Sequence, residues 1–101
     1  MPVIDFDTPI TARDGTPLKE GEHVITLGLV CAGALEAPHR DDAEMGGHEK
    51  LRRKRLADRI YAGRVVGLTV EEIALLKTVT GRALSIYVAG VAWELLDPEC
   101  A

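Results

Sequence analysis

The chain has few aromatic side chains, few cysteines and a single serine. Phe6, Tyr61, Tyr87 and Trp93 are the whole aromatic complement of 101 residues. The core must therefore be aliphatic, built from Leu, Val, Ile and Ala. The same scarcity removes the interleaved stacking platforms of single-strand nucleic-acid binders. Two cysteines, Cys31 and Cys100, do not argue for a disulfide framework and point to a reducing, cytoplasmic setting. Cys31 lies inside an apolar helical pattern and reads as a small buried hydrophobe. Ser85 sits in an apolar stretch with no G-x-S-x-G around it, so no serine-hydrolase elbow is present. His23, His39 and His48 lack the paired spacing of a zinc site. The apolar runs are too short and too interrupted by charge to span a bilayer. Residues Met1–Phe6 lack the basic start and apolar segment of a secretory signal, so none is expected.

Phosphate-binding glycine motifs are missing as well: there is neither G-x-x-x-x-G-K-[ST] nor G-x-G-x-x-G. The neighbouring carboxylates Asp41/Asp42 and Glu71/Glu72 do not converge on a substrate as a catalytic pair must. The Asp41–Asp42 region also lacks the ligand ladder of a calcium loop. The expectation is a protein without catalytic, cofactor or metal residues, and not an enzyme.

What the chain does have is segregated charge. The net charge is −4, but between Glu49 and Arg59 six cations (Lys50, Arg52, Arg53, Lys54, Arg55, Arg59) face only Glu49 and Asp58. That segment is +4 and the remainder −8. Charge separation of this kind bears on partner choice rather than on fold.

The clearest structural signal is Leu68–Val79. Thr69 is a good N-cap, Glu72 completes a capping box, and Leu68 with Ile73 has the spacing of a hydrophobic staple. The predicted helix covers residues 69–79 and serves packing. Its length, 101 residues, bounds the chain to one domain. Residues 1–22 read as a turn-rich acidic arm. Pro9 and Pro17 prevent a long strand, Val3–Phe6 is briefly extended, and Asp14-Gly15 marks a tight turn. A small hairpin pairing Ile10–Ala12 with Thr16–Leu18 follows. The arm is either a solvated appendage or an anionic contact surface made by Asp5, Asp7, Asp14, Glu20 and Glu22.

A helix is predicted over 26–37, capped by Thr26 and ended by Pro38. Gly28 and Gly33 weaken it by about 1 kcal/mol each relative to Ala and would permit close helix approach. A polar linker, 39–47, leads to a basic helix over 48–62, closed by Gly63. Its apolar face carries Arg53, Leu56, Ala57 and Ile60. Its cations could neutralise phosphates, but acidity and sparse aromatics make direct nucleic-acid contact the weaker expectation. Gly81 is expected to interrupt the chain before a last helix over 82–96, with Leu84, Tyr87, Val88, Val91 and Leu95 as its stripe and Trp93 as a core anchor. That helix has one cation and one anion, too little to grip DNA as a recognition helix. The predicted fold is mainly α: a small bundle of about four helices with a short N-terminal extended or hairpin segment.

The order Ile10-Thr-Ala-Arg-Asp-Gly-Thr-Pro-Leu18, Ile25-Thr-Leu-Gly-Leu-Val-Cys31, Glu49-Lys50 with its basic helix, Leu68-Thr-Val-Glu-Glu-Ile-Ala-Leu-Leu-Lys77 and Ala92-Trp-Glu-Leu-Leu-Asp-Pro98 resembles a family of small bacteriophage and prophage proteins. The resemblance covers nearly the whole chain, through structural motifs. A phage protein of this size and acidity is also similar to some anti-CRISPR proteins, in particular inhibitors of type I CRISPR-Cas surveillance complexes. The resemblance implies a monomeric, non-enzymatic inhibitor in the cytoplasm of the bacterial host, with no catalytic residue to carry over. Such a protein would bind a surveillance complex and block recognition of target DNA. The acids of the arm would compete for a groove that holds DNA by its phosphates, while Arg52, Arg53, Arg55 and Arg59 face another partner surface. Two alternatives remain open: a phage assembly accessory such as a tail assembly chaperone or connector component, and a small nucleic-acid binder using the basic helix.

Overall fold

A computed structural model describes residues 2–37 and 44–98. The chain forms β1 (Val3–Asp5), β2 (Lys19–Glu20), β3 (His23–Val24), α1 (Leu27–Glu36), α2 (Gly47–Ala62), β4 (Val65–Gly67), α3 (Val70–Ala83) and α4 (Ile86–Leu96). It is the expected small, mainly α fold with four helices and a short N-terminal hairpin. The linker residues 38–43, with Asp41 and Asp42, and the C-terminal Cys100 lie outside the described residues.

The hub is α1. Thr26 caps it, its Oγ1 accepting from the Leu29 N–H at 3.2 Å. The helix carries no charge before Glu36, so it can be surrounded: Leu27, Cys31, Ala32, Ala34 and Leu35 are all buried. It packs against α2, α3 and α4. The helix most legible in the sequence, over 69–79, does serve packing, but it is less enclosed than α1. The capping box marks where a helix starts most legibly; the absence of charge marks which helix sits at the centre. Burial pushes the Cys31 thiol up to about 12, which keeps it protonated and inert.

The two glycines of α1 differ. A Cβ on Gly28 would meet the Phe6 carbonyl oxygen at 3.0 Å and the Ile60 side chain at 3.3 Å, whereas one on Gly33 would meet nothing. Close approach is therefore a property of Gly28 alone, and it admits the N-terminal arm as well as α2. The Gly28 N–H donates to the Phe6 carbonyl at 2.8 Å.

The N-terminal segment is no solvated appendage. Phe6 and Ile10 are buried in the main core. The expected hairpin is present: the Ala12 N–H donates to the Thr16 carbonyl at 2.8 Å, and Gly15 takes φ +87° after the turn closed by its N–H on Ala12. A second hairpin, which the sequence reading did not anticipate, pairs β2 with β3 around Gly21, φ +64°. Glycine at the first position of a two-residue loop tolerates that φ without a Cβ penalty. Ile10, Leu18 and Ile25 then close a ring of backbone bonds. Leu18 donates to Ile10, Ile25 to Leu18 and Ile10 to Ile25, at 2.8, 2.9 and 2.9 Å. Tyr87 pins this unit to α4 by donating to the Thr11 carbonyl at 2.7 Å, with the Arg13 guanidinium 4.7 Å above its ring.

The link after α2 is also more ordered than expected. Val65–Gly67 forms β4, antiparallel to β1 in the register Val3↔Gly67, Ile4↔Val66, Asp5↔Val65. Ile4 and Val66 face the core. The expected break at Gly81 does not occur: α3 runs through it to Ala83, and α4 starts at Ile86, capped by Ser85. A glycine inside a helix costs only about 1 kcal/mol relative to Ala, which does not end it; a Cβ added at Gly81 would lie 3.4 Å from the Trp93 indole. Trp93 itself sits at the edge of the core, 37 % exposed. Its N–H donates to the Lys77 carbonyl at 2.9 Å and reaches the buried Thr80 hydroxyl at 3.2 Å, which in turn donates to the Leu76 carbonyl. The buried line of α4 is Ala92 and Leu96, while Val88, Val91 and Leu95 are only partly covered. Among the described residues, no helix is long and apolar enough to cross a membrane.

Candidate functional site

The predicted contact residues fall into two sets, and local structure decides which remain available. In the acidic set, Asp5 and Asp7 lie beside Arg64, at 3.7 and 3.6 Å, and the Asp7 N–H donates to Asp5 Oδ1 at 2.9 Å. Asp14 is engaged with its own turn. The Thr16 hydroxyl and N–H donate to its Oδ1 at 2.6 and 3.0 Å, and these bonds hold its carboxyl below the usual range. Glu20 and Glu22 differ. They stand exposed at the turn of the β2–β3 hairpin, with no side-chain hydrogen bond or ion pair among the described residues. Of the five acids, these two have their charge least compensated by the protein itself.

In the basic set, α2 neutralises much of its own charge. Arg52 and Arg53 reach Glu49 at 3.4 and 3.2 Å, and Lys54 reaches Asp58 at 2.7 Å. Such exposed pairs add little stability, but each lowers the charge offered to a phosphate. Arg53 follows the apolar face and is largely covered, with a buried Nη1 that has no hydrogen-bond partner.

Arg59 has a structural position. Its guanidinium pairs with Glu72 and donates from Nη2 to the Gly67 carbonyl at 2.8 Å. Glu72 also accepts from the Thr69 N–H at 2.9 Å while the Thr69 hydroxyl accepts from the Glu72 N–H at 3.1 Å. One arginine thus ties the end of α2 to the end of β4 and to the cap of α3. Burial alone would raise the Glu72 carboxyl, but the Thr69 N–H and the Arg59 guanidinium outweigh it and hold it low. Arg55 remains exposed, with no ion pair among the described residues. The two sets do not assemble into one catalytic constellation. Among the described residues no three His, Cys, Asp or Glu side chains gather as metal ligands would.

A concavity of about 600 Å³ was not foreseen. It lies between β1, the start of α3 and the end of α4. Its lining is apolar apart from Asp5, Thr8 and Asp97. The sequence held little sign of it, because its walls come from stretches far apart in the chain: residues 2–5, Val70 with Ile73, and residues 95–98. No protein-family model, no curated protein and no solved structure matches the chain.

Proposed function

We propose that the protein is a phage-encoded, non-enzymatic inhibitor that binds a host defence nucleoprotein complex of the type I CRISPR-Cas class and blocks its recognition of target DNA. One observation supports this reading beyond the resemblance. Glu20 and Glu22 project uncompensated from a hairpin that Tyr87 and the backbone ring around Ile10 anchor to the helices. Two carboxylates on a preorganised turn can occupy a cationic groove with little ordering cost. The nucleic-acid alternative is weakened because three of the cations on α2 already pair with acids of their own helix.

The experiment is a pull-down with a purified type I surveillance complex, followed by a target-DNA binding assay. Association and loss of DNA binding are expected. Absence of both overturns the reading. A phage assembly role would appear instead as association with a structural phage protein and as failure of a deletion phage to form particles on every host.

A further inference from the structure

We infer that Asp14 is a site of spontaneous modification, isomerising to isoaspartate through a cyclic imide with the Gly15 nitrogen, and that Thr16 holds this reaction in check. The inference stands independently of the defence-complex reading.

Composition isolates the site. The chain contains no asparagine or glutamine, so deamidation has no substrate, and Asp14 is the only aspartate followed by glycine. Glycine leaves its own backbone nitrogen unshielded, because it has no side chain. The turn adds no cover: a Cβ built at Gly15 would meet nothing within 4 Å, and Asp14, Gly15 and Thr16 are all exposed. Water therefore reaches every atom the reaction needs.

The reaction balances within these two residues and water. The Gly15 nitrogen attacks Cγ of the Asp14 acid form and loses its proton, while the carboxyl loses its hydroxyl. One water leaves and the imide ring closes. Water then opens the ring at either carbonyl. Opening at Cγ restores aspartate, whereas opening at the former main-chain carbonyl routes the chain through Cβ and Cγ. The mass is unchanged, and one methylene has entered the backbone.

Three hydrogen bonds oppose the attack. The Gly15 N–H donates to the Ala12 carbonyl at 2.9 Å, which holds the nitrogen inside the turn. The Thr16 hydroxyl and N–H donate to Asp14 Oδ1 at 2.6 and 3.0 Å, which aims the carboxylate past Gly15 towards the next residue. The same two bonds keep the carboxyl ionised below its usual range, and a carboxylate is a poorer electrophile than the acid. Isomerisation would disturb the hairpin directly. An extra methylene takes Ala12 and Thr16 out of the register in which the Ala12 N–H donates to the Thr16 carbonyl at 2.8 Å. Tyr87 holds the hairpin to α4 through the neighbouring Thr11 carbonyl, so the isomer loosens that attachment.

The test ages the full chain in mildly acidic buffer and counts isoaspartate by enzymatic methylation and peptide mapping. Label should accumulate on the peptide containing Asp14, fastest in chain unfolded with guanidinium and slowest in the folded wild type. Thr16→Val removes the hydroxyl and keeps the N–H, and should age roughly two- to tenfold faster than wild type, as loss of one net hydrogen bond does. Thr16→Ser keeps the hydroxyl and should age like the wild type. Asp14→Glu should not label at this position, because the longer side chain must close a larger ring. Folded wild type that labels as fast as the unfolded chain overturns the inference, as does Thr16→Val that ages no faster than Thr16→Ser. Label that never reaches the Asp14 peptide, even in the unfolded chain, overturns it too.

Discussion

Arg59 illustrates how position redirects a charge. By composition it belongs to a basic patch; in the fold it bridges Glu72 and the Gly67 carbonyl. Arg59→Ala is expected to lower stability while leaving partner binding unchanged, whereas Arg55→Ala should leave stability within about 0.5 kcal/mol, as for an ordinary surface site. Urea unfolding checks both; equal effects would contradict the assignment. Glycine provides a second contrast. Gly28→Ala should destabilise by about 1–3 kcal/mol through overpacking against Phe6 and Ile60. Gly33→Ala, in open space within α1, should stabilise by about 0.5–1 kcal/mol. Thermal melts of the two variants should shift in opposite directions. The sequence placed both glycines in an apolar helix but not what each one faces, because that depends on residues far away in the chain.

At the scale of elements, caps were the most legible feature. Thr26, Thr69 and Ser85 each accept from a backbone N–H at a helix start. The two predicted from local pattern were Thr26 and Thr69. Ser85 was missed because Gly81 looked like the break, although one glycine costs a helix only about 1 kcal/mol and α3 runs on to Ala83. Thr69→Ala should cost about 1 kcal/mol. Glu72 adds a pH dependence. Its carboxyl lies below its ordinary value when folded, so its stabilisation is complete above the unfolded value and is lost as pH falls through the folded one. Wild type should therefore lose more stability than Glu72→Gln between pH 7 and pH 3. Parallel urea-unfolding curves for the two proteins would contradict this. Short strands such as β4 were illegible for a physical reason: three residues carry little periodicity, and β4 exists because β1 pairs with it across the core.

For the whole molecule, α1, free of charge up to Glu36, sits at the centre with three helices and an N-terminal β unit around it. The fold class and most helix positions followed from apolar spacing and caps. Which charges stay exposed and unpaired did not, because that depends on which of them the fold pairs internally. Asp5, Asp7 and Asp14 are engaged with Arg64 and Thr16; Glu20 and Glu22 are left at the tip of a braced hairpin. The central claim is that this tip meets a cationic groove that would otherwise hold DNA. The direct measurement is target-DNA binding by a purified type I surveillance complex, titrated with wild-type protein and with the double variant Glu20→Gln/Glu22→Gln. The account predicts inhibition by the wild type and at least about tenfold weaker inhibition by the variant, since two charge-assisted contacts of roughly 1 kcal/mol or more are lost. DNA binding that persists at saturating wild-type protein, or inhibition that the double variant leaves unchanged, would contradict it.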